Sequence, residues 1–392
     1  MNMSPKRIAA LQQKLKENNL DAAVYATGAH FVYLLDIQDF WFQRYMVTAW
    51  PGHPPRPTLT RPETILYVPA KGECLVLTIP GRLRDLYDCP VPMEVTYMDH
   101  FWKKLTPVME GKRFAVGLSA KPELLEILQR VDGTMDGGKD GFEIVDGEEF
   151  VDQMRQIKDE TEIEKLRTVA ALTDAAMEYV VPMLKPGVTP FEVEDAIAEF
   201  GMSHGAADVS FTTMTLTIDR DYPMEHPFAY PRTRPYGQNV GVGFDFGYVL
   251  NGYASDYGRS FYVGKPSREA AESYRALQAA QQYMAKNLIP GKTRMCDISD
   301  LIYEGLKEFG REAQLKHHET GSQGHLIGIE CHEFPWVHRD YDDVFRPGMV
   351  FCSEPKIYVE NEIYMRVEDM ILVTATGTEF LTNFDRELFA LG

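Results

Sequence analysis

Residues Gly241 to Gly264 read GVGFDFGYVLNGYASDYGRSFYVG, and the fold turns on how this stretch doubles back on itself. Asn251-Gly252, set between two strand-like runs, is a strong signal for a type I′ hairpin turn. A two-residue loop puts Gly247 opposite Asp256. Side chains alternate faces along a strand, so Asp245 then shares a face with Asp256 as a diagonal neighbour, with Cβ atoms about 7–8 Å apart or somewhat less. Such a pair is placed to bridge two metal ions about 3.5–4 Å apart. Taken alone, it is equally compatible with two solvated strand acids.

A second hairpin is expected from MVFCSEPKIYV and YMRVEDMILV, joined around Glu360, Asn361 and Glu362. A three-residue loop sets Glu354 opposite Glu368. Two facing carboxylates repel, so this register requires either a cation between them or a solvated face. The flanking Val350, Phe351, Val367, Met370, Ile371 and Val373 are too apolar for a freely solvated ribbon. A third segment, GHLIGIECHEFP, spaces His325 and His332 seven residues apart among glycines that permit close backbone approach. A lone histidine in such a place is more often structural. Carboxylate oxygens with one imidazole suit Mn, Fe, Co or Zn in a hard site better than a soft thiolate centre.

Outward from these segments the chain alternates helix and strand signals. Ser4-Pro5 starts a helix with Ile8, Leu11 and Leu15 on one face, and DAAVYAT follows as a buried strand. ETILYVPAKGECLVLTI reads as two strands about Lys71-Gly72, RFAVGL as another strand, and KPELLEILQRV as a helix. The proline-dense stretch from Trp50 to Glu63 reads as an irregular surface loop. From Asp152 the pattern becomes one long charged helix, QIKDETEIEKLRTVAALTDAAMEYVVPML, which places a domain boundary near residues 150–155. Thr189-Pro190-Phe191-Glu192 is a capping box with proline at the first helical position, so a further helix is expected to run toward Phe200.

With 392 residues, the chain exceeds the size at which one hydrophobic core usually stops growing, so two domains are expected. A net charge of -18 argues against nucleic-acid or anionic-membrane partners, which call for a basic face. The five cysteines are scattered and contain no C-x-x-C pair, which argues against a disulfide framework or zinc-thiolate site and points to a reducing cytoplasm. No run approaches the roughly 18 apolar residues of a membrane span, and the first residues lack the apolar core of a secretion signal.

Together these residues resemble the pita-bread metallopeptidases, which include aminopeptidase P, prolidase and methionine aminopeptidase, with creatinase as a metal-free relative. The resemblance rests on D-x-G followed by S-D-x-x-R (Asp245, Gly247, Ser255, Asp256, Arg259) and on G-H-x-x-G-x-x-x-H-E-x-P (Gly324, His325, Gly328, His332, Glu333, Pro335). S-E-P (Ser353, Glu354, Pro355) and R-V-E-D (Arg366, Val367, Glu368, Asp369) follow in the same order. It implies an α/β (α+β) architecture: a small creatinase-like amino-terminal α/β domain over residues 1–152, and a pita-bread catalytic domain over 153–392.

The same resemblance implies two divalent metal ions, manganese first, with cobalt, iron or zinc as alternatives. Asp245 would chelate one ion and Asp256 and Glu368 would bridge both. His325 would bind the other ion, and Glu354 would complete its shell and shuttle a proton. The implied activity is metallopeptidase hydrolysis of Xaa-Pro bonds, as an Xaa-Pro dipeptidase or aminopeptidase, by a metal-bridging hydroxide. His226, in MEHPFAYP, resembles the family's first substrate histidine, or is a histidine packed in a proline-rich loop. His332 resembles the second, which helps hold the intermediate. Arg366 would orient the site acids or the substrate, or pair with Asp369 as an ordinary strand arginine. Family dimers lead to the expectation of a homodimer, in which the Gln38–Glu63 loop with Trp41, Phe42 and Trp50 reaches a neighbouring site or is a surface insertion.

One departure concerns specificity. Many peptidase members have a histidine four residues before the metal histidine, where this chain has Gly321, with His317 and His318 further upstream. That weighs against Xaa-Pro specificity. It keeps open the same metal centre acting on a small zwitterion, as in ectoine hydrolase or dimethylsulfoniopropionate lyase. A metal-free binding scaffold is the remaining alternative, and the intact ligand set argues against it.

Overall fold

In a computed structural model, the structure describes residues 3–38, 40, 42, 62–117, 122–136, 141–222, 224, 226, 229–387 and 389–391. Trp41, Trp50 and the proline-dense stretch up to residue 61 lie outside the described residues, as does the loop argument for a dimer. The chain divides into two compact units, Met1–Arg155 and Gln156–Gly392.

The first unit is a six-stranded mixed sheet. Its strands are β1 (Ala22–Ala26), β2 (Thr64–Pro69), β3 (Leu75–Thr78), β4 (Met93–Val95), β5 (Arg113–Val116) and β6 (Glu143–Asp146), in the order β4-β3-β2-β1-β5-β6. Every β1 residue is buried, because helices α1 (Ser4–Glu17), α2 (Ala29–Leu35), α3 (Phe101–Leu105) and α4 (Pro122–Val131) leave it central and covered. Phe101, Leu105, Phe114, Val116, Leu124 and Leu128 form the core with the apolar residues of β1 and β2.

The long helix expected from Asp152 is in fact two helices. Helix α5 (Glu148–Gln156) stops, and α6 (Glu160–Val180) restarts on a capping box. Asp159 accepts from the amides of Thr161 and Glu162, while Glu162 reaches back to the Asp159 amide. That reciprocal satisfaction of otherwise open helix-end donors fixes a new N-terminus inside a run whose composition is helical throughout. Helix α7 (Pro190–Ser203) starts on the expected Thr189/Glu192 box.

The second unit then lays down β7 (Asp208–Val209), β8 (Met214–Asp219), β9 (Val240–Asp245), β10 (Tyr248–Leu250), β11 (Tyr253–Ala254) and β12 (Ser260–Val263). Helices α8 (Arg268–Asn287) and α9 (Ile298–Lys307) follow. The remaining strands are β13 (Gly324–Leu326), β14 (Glu333–Val337), β15 (Val350–Ser353), β16 (Lys356–Val359), β17 (Ile363–Arg366), β18 (Asp369–Val373), β19 (Thr378–Phe380) and β20 (Ala390–Leu391).

Each helix pair covers one part of the strands. Val169, Met177 and Val180 of α6 and Val193 and Ile197 of α7 pack with Val242, Phe244, Phe246 and Tyr248. Tyr274, Leu277 and Met284 of α8 and Ile298, Ile302 and Leu306 of α9 pack with Phe351, Ile357, Ile363, Met365 and Ile371. The two helix pairs thus back separate groups of strands, as a pita-bread domain is expected to do. Among the described residues, no helix is long and apolar enough to cross a membrane.

Candidate metal centre

Two long hairpins build the site, and each changes sheet halfway along while keeping its register. In the first, Leu250 faces Tyr253 across the Asn251-Gly252 turn, both turn residues having positive φ (53° and 82°). The same register continues through the Phe246–Tyr257 pair to Gly243 opposite Ser260. Gly247 therefore faces Asp256, as the loop length predicts. A Cβ on Gly247 would sit 1.9 Å from the Ser255 carbonyl oxygen, so the strands close to this distance only around glycine. The Ser255 hydroxyl accepts from the Tyr248 amide at 2.9 Å and bonds Thr173 of α6 at 2.7 Å, pinning the break to the helix behind it.

In the second hairpin, Val359 faces Ile363 across Glu360, Asn361 and Glu362, and the same register holds at Ser353 opposite Asp369. Glu354 and Glu368 occupy the gap between the two sheets, as the three-residue loop predicts. The two hairpins join where the Glu368 amide donates to the Gly258 carbonyl at 2.8 Å. Arg259, fully buried, donates to the Glu368 carbonyl at 2.8 Å and to Asp369 at 2.6 Å, which ties down the backbone that presents Glu368. Asp245, Asp256, Glu354 and Glu368 thus all stand at or beside sheet breaks, where side chains of both hairpins converge.

His325 enters from β13. Its Nδ1 lies 3.1 Å from the Leu326 carbonyl; a carbonyl only accepts, so Nδ1 carries hydrogen in that contact. Nε2 is then turned to the acids, 3.3 Å from Asp256 Oδ2 and 3.9 Å from Glu368 Oε1. Asp256 Oδ1 is buried with no hydrogen-bond partner, and the buried Glu368 Oε2 has only a long ion pair to Arg366 at 3.4 Å. Buried carboxylate oxygens left in this state cost free energy, which a cation among them would recover. Asp256, His325, Glu368 and the thiol of Cys352 place one donor atom each within 4.8 Å of the others, and Asp256, Cys331 and His332 form a second such group. The residues present therefore fit a divalent ion.

The electrostatics agree with that fit. Burial pushes Asp245 up to about 6 even though Arg366 pairs with it, and burial with the Asp256 charge pushes Glu368 well up. Burial also acts to raise Asp256, but the His325 hydrogen bond outweighs it and holds the carboxyl below its usual range. Burial opposes Glu354 in the same way, and Lys356 and Arg366 overcome it. Without metal, the acids rely on Arg366, which is 2.9 Å from Glu354 and 3.4 Å from Glu368, and on Lys356, which pairs with Glu354. Asp369 is taken by Arg259 and by Arg386 at 2.8 Å, so the alternative pairing of Arg366 with Asp369 is not the one adopted.

The match to the family model named Metallopeptidase family M24 covers residues 164–375. This chain belongs to metallopeptidase family M24. An uncharacterized peptidase of Staphylococcus aureus (strain USA300) is 34% identical over 236 residues, which cover 60% of this chain. The chain spans 65% of the length of that curated relative. Solved structures show the shared fold. An Xaa-Pro dipeptidase from Bacillus anthracis superimposes with a TM-score of 0.79 at 22% identity, covering 99% of this chain and 100% of the other. The prolidase from Pyrococcus horikoshii OT3 gives 0.78 at 23% identity, covering 98% and 100%. The X-Pro aminopeptidase from Thermotoga maritima MSB8 gives 0.75 at 21%, covering 97% and 98%.

In this M24 chain, His332 stands beside the acids, its ring 4.1 Å from that of His325 and stacked on Trp336 at 5.4 Å. Burial and the neighbouring His325 push it down to about 3, so it is neutral at ordinary pH. His226 is placed differently: it is exposed on the loop after β8, where its carbonyl accepts from the Ala229 amide, and it lies outside both donor groups. Three site residues escaped the sequence reading. Lys356 and Cys352 each lie two positions from Glu354, and strand alternation turns all three to one face. Cys331 precedes His332 and donates its thiol to Asp256 Oδ2 at 3.0 Å.

Proposed function

We propose that the chain hydrolyses Xaa-Pro bonds of short peptides, as a dipeptidase or aminopeptidase, with two divalent ions held by Asp245, Asp256, His325, Glu354 and Glu368. The reading rests on Asp256, His325 and Glu368 coming together with a buried Asp256 oxygen left without a hydrogen-bond partner, while Asp245 and Glu354 reach the same cluster through Arg366. The printed names of the solved relatives, Xaa-Pro dipeptidase, prolidase and X-Pro aminopeptidase, support the substrate class. When bound, the ions supply Lewis-acid polarisation of the scissile carbonyl and activation of water. The oxygen-rich donor set suits manganese, with cobalt, iron and zinc as further candidates.

The protein's own groups do the rest. Glu354, half-buried and held ionised by Lys356 and Arg366 in the metal-free chain, would take a proton from the attacking water and pass it to the leaving amine once those ion pairs give way to the metal. His332, neutral, donates to the carbonyl oxygen as charge develops there. Arg366 fixes Asp245, Glu354 and Glu368 relative to one another. His226 contacts the substrate from its exposed loop. The working form is a cytoplasmic homodimer with no nucleic-acid or membrane partner.

A second reading, the same centre acting on a small zwitterion, is favoured by Gly321. A Cβ there would lie 2.7 Å from Arg339 Cγ, so the backbone packs where a side chain is expected in many relatives. The test is a panel of Xaa-Pro dipeptides, Xaa-Pro tripeptides and zwitterions with the Mn-, Co- and Zn-loaded chain. Proline release from dipeptides alone means a prolidase, and release of the first residue from tripeptides means an aminopeptidase. Inactivity on every peptide overturns the first reading in favour of the second.

A further inference from the structure

Sulfur lines the carboxylate cluster. Cys352 faces His325 across the ladder of β13 and β15 and is fully buried. Directly opposed residues in an antiparallel pair share a sheet face, so the thiol and the imidazole are presented to the same space. There its Sγ falls within 4.8 Å of the donor atoms of Asp256, His325 and Glu368. Asp256 keeps a buried oxygen with no hydrogen-bond partner, and the buried Glu368 Oε2 has only the long ion pair to Arg366 at 3.4 Å, which leaves this space able to take a ligand. All five cysteines are free, so no disulfide competes for this sulfur.

One nitrogen, one sulfur and two carboxylates make up a donor set in which zinc and its thiophilic relatives outbind manganese. We propose that Cys352 is a sulfur ligand to the ion held by Asp256, His325 and Glu368, making that position selective for zinc over manganese. The proposal rests on reading the cluster as a metal centre. It divides the two ions into unlike partners: the one beside Asp245 sees oxygen alone, and the one beside His325 sees sulfur as well. Coordination releases the thiol proton to solvent, so one proton appears per sulfur engaged.

The test uses the full chain stripped with chelator and reloaded with one equivalent of zinc, read by zinc-edge X-ray absorption fine structure. The expected spectrum has a sulfur shell at about 2.3 Å beside nitrogen and oxygen at about 2.0–2.1 Å. Cys352→Ser removes the sulfur shell and lowers zinc affinity by about tenfold or more, leaving manganese affinity near wild type. Cys331→Ser keeps the shell. Bound zinc surrounded only by nitrogen and oxygen overturns the proposal, as does a sulfur shell that survives Cys352→Ser. Should Cys352→Ser fail to fold, the wild-type and Cys331→Ser spectra still decide. A chain that binds no zinc, manganese or cobalt overturns the metal-centre reading itself, which is a different failure.

Discussion

Asp256 turns one carboxylate oxygen to His325 and leaves the other buried without a hydrogen-bond partner. Asp256→Asn keeps the shape of the side chain and removes the charge, so at least one metal should be lost and hydrolysis should nearly vanish. The metal-free variant should melt no lower than the metal-free wild type, because one acid of a crowded four is neutralised. Metal stoichiometry and apo-state melting check both statements, and a variant with two bound ions and normal turnover refutes the proposed role. His332→Ala should behave in the opposite way. Its ring packs on His325 and Trp336, so it should keep its metal while turnover drops by about 10²–10³, the usual cost of one donor to a developing oxyanion. Metal content that falls in parallel with turnover would make His332 a ligand.

At the level of elements, Gly247 is the position where both strands of the first hairpin must pass closely. Gly247→Ala pushes a methyl into the Ser255 carbonyl and shifts Asp256 without altering any ligand. We expect a loss of about 1–3 kcal/mol in stability together with weaker metal binding, measurable by denaturant unfolding and by metal titration of the same preparation. Unchanged metal affinity would mean that the hairpin tolerates the methyl by moving elsewhere. Both hairpin registers were legible in the sequence because a loop of known length fixes every pair beyond it, and Asn251-Gly252 and Glu360-Asn361-Glu362 declare their lengths. The α5–α6 break carries a signal that helical composition on both sides concealed: Asp159-x-x-Glu162 has the same capping-box spacing as Thr189-x-x-Glu192, but it lies inside a run that reads as one helix. Helix α2 has no polar face to announce it, since all its residues but His30 are buried. At the site, the acids and His325 stood out by residue type and order. Lys356, Cys331 and Cys352 did not, because their relevance comes from sheet pairing and not from any motif.

Across the whole molecule, a chain of net charge -18 gathers four acids into one buried place, so its stability must depend on pH and on cations together. Asp245, pushed up to about 6 in the fold from an unfolded value near 3.9, binds more protons folded than unfolded between those two values. Raising the pH through that window therefore removes the share of stability that Asp245 contributes to the metal-free protein, since stability falls with pH wherever the native state holds the extra proton. The metal-loaded protein runs the other way, because its ligands must be deprotonated to bind. The melting-temperature gap between loaded and stripped protein should widen as the pH rises from about 4 to about 7, as scanning calorimetry in matched buffers would reveal. A gap that stays constant would mean that the acids do not titrate with the metal. The unbroken register of the two hairpins also governs how such a chain can change length over generations. Losing or gaining one residue in a single arm would turn every side chain beyond it to the opposite face and carry an acid out of the centre. Insertions and deletions should therefore survive only outside these arms, or as matched pairs across them, and the spacing of eleven residues from Asp245 to Asp256 should drift far less than the identities of the residues between.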